Sequence, residues 1–120
     1  MLVGVHIRRT DYKEYLNGKY YYSLVQYKQI ILNLRELIGE HKVYFVLFSD
    51  EIIQLDLPNC TQSHGTWYQD LDSMSVCDYL IGPPSTFSCW ASYMGNVPQY
   101  FIEDANRTIR LNDFKVSSRL

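Results

Sequence analysis

An α/β fold with a parallel sheet is predicted by three observations on the sequence. Short apolar runs rich in β-branched and aromatic residues alternate with segments whose apolar positions recur at helical spacing. The runs lack polar alternation, the pattern of strands covered on both faces. Each run also stops at a charged or turn-forming cluster, which puts those clusters at the carboxyl edge of the sheet, where ligands collect in α/β proteins. The 120 residues suffice for one domain with a real core, and a hydrophobic content of 47% is ordinary for a globular protein.

The first strand is Leu2-Val3-Gly4-Val5, followed by a charged stretch, His6-Ile7-Arg8-Arg9-Thr10-Asp11-Tyr12. After Tyr20-Tyr21-Tyr22 a helix is expected, with Leu24, Tyr27, Ile31, Leu34 and Ile38 in one stripe widened by Ile30 and Leu37. Ser23 and Gln26 have the spacing of a capping box, and Gly39 follows the last periodic residue as a stop. Val43 to Phe48 reads as a second buried strand ending at Ser49-Asp50-Glu51. The polar stretch from Leu57 to Thr66 has room for one short strand. From Trp67 the pattern turns helical, with Leu71, Met74 and Val76 to Cys77 inward. Tyr79-Leu80-Ile81 is a strand stopped by Gly82-Pro83-Pro84. Ser85 or Thr86 caps a helix through Phe87, Trp90 and Met94 that ends at Gly95 and Asn96. Gln99 to Ile102 is the last strand, closing at Glu103-Asp104. Arg8, Asp50, Ser85 and Glu103 are thereby expected on one edge.

Composition excludes several functions. A formal net charge of −2 and an isoelectric point near 5.8 argue against non-specific binding to nucleic acid or anionic membrane, so any anion site is local. The apolar runs are too short to span a bilayer, and no secretory leader pattern opens the chain. Cys60, Cys77 and Cys89 lack the close pairing of a zinc or redox motif and read as reduced thiols in a cytoplasmic protein. The sequons at Asn59 and Asn106 are explained by chance.

The chemistry concentrates in two places. Arg8 and Arg9 offer planar, permanently charged forks suited to phosphate, and the same residues read equally well as a surface turn in which Asp11 pairs an arginine. Ser85, Thr86 and Phe87 open a helix whose free N–H groups and dipole favour an anion, against the plain alternative of N-capping. Asp70-Leu71-Asp72 spells the Asp-X-Asp pattern that can hold a divalent ion, but acids are common at helix starts and arginine can neutralise phosphate without metal. Asp70 alone suits a different task, accepting two hydrogen bonds from the amidine-like edge of guanine. His6 reads as a ligand contact, a general base or a satisfied histidine at a strand end. Cys89 beside Trp90 reads as core, since no histidine and acid accompany it as a nucleophile would require.

As a set, His6-Ile7-Arg8-Arg9-Thr10-Asp11-Tyr12, Phe48-Ser49-Asp50, Asp70-Leu71 with Met74 to Tyr79, and Pro84-Ser85-Thr86-Phe87-Ser88-Cys89-Trp90-Ala91 resemble the alpha-1,2-fucosyltransferases, above all bacterial members that build surface polysaccharides. The resemblance spans Val3 to Glu103 and extends more loosely to alpha-1,6- and protein O-fucosyltransferases. It implies the Rossmann-like, C-terminal donor half of a glycosyltransferase B fold. The implied partners are GDP-fucose and a glycan acceptor, with fucose transferred to a sugar hydroxyl with inversion and no cofactor or required metal. By position, Arg8 is implied to neutralise the β-phosphate as the catalytic residue, with Arg9 and Asp11 beside it as donor-binding residues. His6 and Asp70 are implied at the guanine, Asp50 at the nucleoside end, and Ser85, Thr86 and Phe87 along the pyrophosphate and nucleoside. A cytoplasmic enzyme is implied, with peripheral membrane association compatible.

The first motif stands at the start of the chain, so the expectation is one donor-binding domain over residues 1–120 with the N-terminal acceptor domain absent. Apolar surface left by such a missing domain favours a homo-oligomer. Two rivals follow: a non-catalytic nucleotide-sugar module or truncated remnant, and a structural domain whose arginines pair only with their own carboxylates.

Overall fold

The computed structural model describes residues 1–9, 11–39 and 42–117. Five parallel strands form one sheet in the order β3-β2-β1-β4-β5: β1 (Leu2–Ile7), β2 (Tyr44–Ser49), β3 (Cys60–Gln62), β4 (Tyr79–Gly82) and β5 (Gln99–Phe101). They alternate with helices α1 (Leu24–Ile38), α2 (Trp67–Met74) and α3 (Thr86–Gly95). This is a Rossmann-like α/β fold, with β1 central and the strand order reversing between β1 and β4.

Side chains on a strand alternate between faces, which divides the core in two. Val3, Val5 and Ile7 of β1, Phe45 and Leu47 of β2 and Ile81 of β4 pack against Tyr27, Ile30, Ile31 and Leu34 of α1. The opposite face carries Phe48 and Leu80 against Met74 of α2 and Ala91 of α3. Both Ser23 and Thr66 close reciprocal capping boxes, with Gln26 and Gln69, so each helix start satisfies two backbone donors locally. Asn96 ends α3 in the left-handed conformation, which asparagine tolerates better than most residues. Beyond β5 the chain turns back, and Lys115 bridges Gln99 in antiparallel fashion while Phe114 packs on Tyr79 and Tyr100.

Three expectations are corrected. β1 runs on to Ile7, so His6 lies inside the strand, since its ring is accommodated on the α2 and α3 face. Val76 is 74% exposed because α2 stops at Met74 and the turn to β4 breaks the helical period. Leu37 faces outward, at a surface groove between α1 and the segment after β5. On α3, Trp90 and Met94 lie about half exposed, and the inward face is formed by Ser88, Ala91 and Ser92.

The contact between α2 and α3 depends on Gly95. A Cβ there would stand 1.7 Å from the carbonyl oxygen of Ser75, the residue that caps α2. Alanine is the better helix former by about 1 kcal/mol, but a backbone clash of this depth outweighs that preference. Gly95→Ala is expected to lower unfolding free energy by about 2 kcal/mol or more in urea denaturation. An unchanged or raised midpoint would show that the helices do not approach this closely.

Candidate active site

The alternation that sorts the core also aims the site. Residues at odd positions of β1 enter the α1 face, so His6 points to the other, and the β1–β2 register sets His6 beside Phe48 and Ile7 beside Ser49. Beyond these strand ends, next to the reversal of strand order, lies a cleft of about 280 Å³. β1 and its turn contribute His6 and Arg8, and β2 with its end contributes Phe48, Ser49 and Asp50. Gly65, Trp67 and Asp70 come from the start of α2, and Phe87 from the start of α3. Open parallel sheets bind their ligands in this crevice.

His6 is 5% exposed, with its Nδ1 buried and unpartnered among the described residues. Its ring lies 5.4 Å from that of Phe87. Burial first, then the nearby Arg8 charge, pushes its pKa down to about 3 against a smaller opposing pull from Asp11. The imidazole is therefore neutral at physiological pH. Gly82 makes room for it: a Cβ on that residue would fall 2.6 Å from the His6 carbonyl oxygen and 3.0 Å from its Cβ.

The two adjacent arginines take different places. Arg8 lines the cleft, paired to the Asp11 carboxylate through Nη2 with Nε at 3.4 Å, and its guanidinium lies 4.7 Å from the centre of the Tyr12 ring. Tyr12 is itself buried and its hydroxyl donates to the Pro84 carbonyl at 2.5 Å, tying the turn after β1 to the turn after β4. Arg8 is thus oriented on two sides, and guanidinium has donors to spare for a ligand anion. Asp11, more than half exposed, does not line the cleft; the hydrogen bond and charge of Arg8 outweigh desolvation and lower its pKa. Arg9 turns away from the cleft. It donates to the Tyr21 hydroxyl at 2.7 Å, stacks over that ring and pairs with Glu51 at 3.4 Å, and the Tyr21 hydrogen bond raises its pKa.

Asp70 is a buried carboxylate on the first turns of α2, and its Oδ1 accepts from the Ser63 hydroxyl at 2.7 Å. Asp72 is exposed and outside the cleft, so the two acids of the Asp-X-Asp pattern do not converge. Among the described residues no group of three or more His, Cys, Asp or Glu side chains is arranged to hold a metal ion. Asp50 is exposed at the cleft mouth. Ser85 caps α3 by accepting from the Phe87 N–H at 3.1 Å, and Thr86 is exposed beside it; neither lines the cleft, whereas Phe87 does. Glu103 belongs to a separate groove beyond β5. Cys89 is half-buried, and all three cysteines are free thiols. Sequence reasoning passed over Phe48, Ser49, Gly65 and Trp67 as site residues. The position of Ser49 and Gly65 at the ends of parallel-sheet connections was the available clue.

Fold and cleft together define an α/β domain with a cleft at its topological switch point. The sequence model described as Glycosyl transferase family 11 matches residues 1–114, and the chain belongs to that family, the alpha-1,2-fucosyltransferase family. It is by family a glycosyltransferase, for which the ligand classes are a nucleotide-sugar donor and a glycan acceptor. Neither the comparison with curated proteins nor that with solved structures gives a match. Among the described residues no helix is long and apolar enough to cross a membrane.

The buried histidine sets a pH dependence. Its folded pKa is depressed to about 3 from 6.5, so the unfolded chain takes up the proton first as pH falls, and stability is lost between about pH 6.5 and 3. Between pH 7 and pH 5 this site is expected to remove about 2 kcal/mol of unfolding free energy. Urea denaturation at the two pH values should show His6→Gln losing correspondingly less than wild type; equal losses would mean that His6 is protonated within the fold.

Proposed function

We propose that this chain carries the donor site of a fucosyltransferase, binding GDP-fucose and transferring fucose to a sugar hydroxyl with inversion and without a required metal. The observation that carries the reading is the pairing, in one cleft, of an oriented guanidinium at Arg8 with a buried carboxylate at Asp70. A guanine N–H edge suits the carboxylate, a diphosphate suits the guanidinium, and the rings of Phe48, Trp67 and Phe87 suit the flat base and sugar between them. Membership of the family supplies the reaction class. Residues 1–120 then serve as one donor domain, working with an acceptor-binding domain. Free thiols suit a reducing, cytoplasmic setting.

In the reaction the acceptor hydroxyl oxygen bonds to the anomeric carbon from the face opposite the leaving group, and its proton passes to a base on the acceptor side of the site. The bond from that carbon to the β-phosphate oxygen breaks, and its electron pair leaves with GDP. Charge grows on the β-phosphate as the bond lengthens. A guanidinium already held by Asp11 and Tyr12 stabilises that charge without reorganising, which favours the transition state over the bound substrate. His6, neutral and with its Nδ1 unpartnered, serves as a hydrogen-bonding contact for the donor.

Calorimetric titration tests the reading. GDP and GDP-fucose should bind in preference to UDP without added metal, and Arg8→Ala should weaken GDP binding by about 1.5–3 kcal/mol, the value of a charged hydrogen bond. Asp70→Asn should erode the preference for GDP over UDP. Absence of nucleotide binding, or equal affinity for GDP and UDP in the wild type, would sink the proposal.

A further inference from the structure

Trp67 is the largest side chain of the cleft and stays 69% exposed. It occupies the first position of α2, and among the described residues its ring neighbour is Tyr68, edge-on at 5.4 Å and 89°. A single perpendicular neighbour steadies an indole without covering both its faces. Residues three apart share one face of a helix, so the Trp67 ring and the buried Asp70 carboxylate stand one turn apart along the same wall of the cleft. Gly65 keeps that wall open, since a Cβ there would crowd Asp70 Oδ1 at 3.1 Å. The other tryptophan, Trp90, is half exposed and does not line the cleft.

We infer that Trp67 is the platform on which the purine base of the donor stacks, with the hydrogen-bonding edge of the base turned to Asp70. The inference rests on the donor-site reading and adds to it a residue and a direction: base toward the start of α2, diphosphate toward Arg8 on the turn after β1. The stack supplies affinity that any purine can draw on, because every base has a π-face. Discrimination among purines then falls to Asp70, whose carboxylate needs donors on the edge presented to it.

Because the chain has two tryptophans, Trp90→Phe leaves Trp67 as the sole indole and turns it into a direct reporter. GDP added to this variant should quench the indole emission saturably, with the midpoint found by calorimetry. Trp67→Ala should bind GDP about 5- to 150-fold more weakly, the range of one base stack, and Trp67→Phe should recover most of that loss. GDP binding to Trp90→Phe with emission unmoved, or wild-type affinity in a folded Trp67→Ala, overturns the platform while leaving the donor-site reading intact. Absence of any GDP binding to the wild type overturns both. Should Trp67→Ala fail to fold, the emission of the intact indole decides alone.

Discussion

The approach of β4 to β1 at Gly82 is the constraint from which the cleft follows. With 2.6 Å between the position of a Cβ and the His6 carbonyl oxygen, only glycine lets the two strands lie side by side up to their ends. That closeness brings the turn after β4 within reach of the turn after β1, where the Tyr12 hydroxyl meets the Pro84 carbonyl. Tyr12 in turn supports the guanidinium of Arg8 from below. A strand contact within the sheet thereby fixes the direction of a charge outside it. His6 gains its burial from the same place, between Gly82 and Phe87.

Two neighbouring arginines serve two ends because strand alternation persists briefly past β1. Arg8 falls on the side of the cleft, while Arg9 falls on the side of α1 and binds Tyr21 and the Glu51 loop. That loop is also held by Gln62, whose amide accepts from Ile53 and donates to the Glu51 carbonyl, each at 2.8 Å. Asp50 stands one residue before this doubly anchored point. The second guanidinium thus braces the rim that the first one faces, and a lysine, with no planar fork, would not reproduce both contacts.

Much of this was legible in the residues. The parallel sheet, the capping box of α1 and the glycine stop follow from periodicity and turn chemistry, because those features act locally. The convergence of His6, Arg8, Asp50, Asp70 and Phe87 followed from motif resemblance together with strand-end logic. Other assignments depend on tertiary placement. No local pattern distinguishes Arg9 from Arg8, since the difference is which face of β1 each one continues. Val76 carries the right residue type for a core position, yet it sits past the end of α2. Trp67 reads as one more aromatic residue until the fold shows that it lines a cleft. Ser85 is chemically suited to an anion, and the fold sets its hydroxyl to accept from the Phe87 N–H beside the cleft, outside its lining.

The two faces of the sheet are unequally filled. Among the described residues sixteen buried hydrophobic side chains form the cluster beneath α1, and six form the one beneath α2 and α3. Local opening follows thin packing, and the α2–α3 layer has fewer buried side chains to oppose it than the α1 layer has. Trp67, Asp70 and Phe87 all belong to that layer. A ligand seated between it and β1 bridges the weaker unit to the stronger one. Ligand occupancy of the cleft and the cooperativity of the domain are linked quantities, and protection against exchange in α2 and α3 is the observable that joins them.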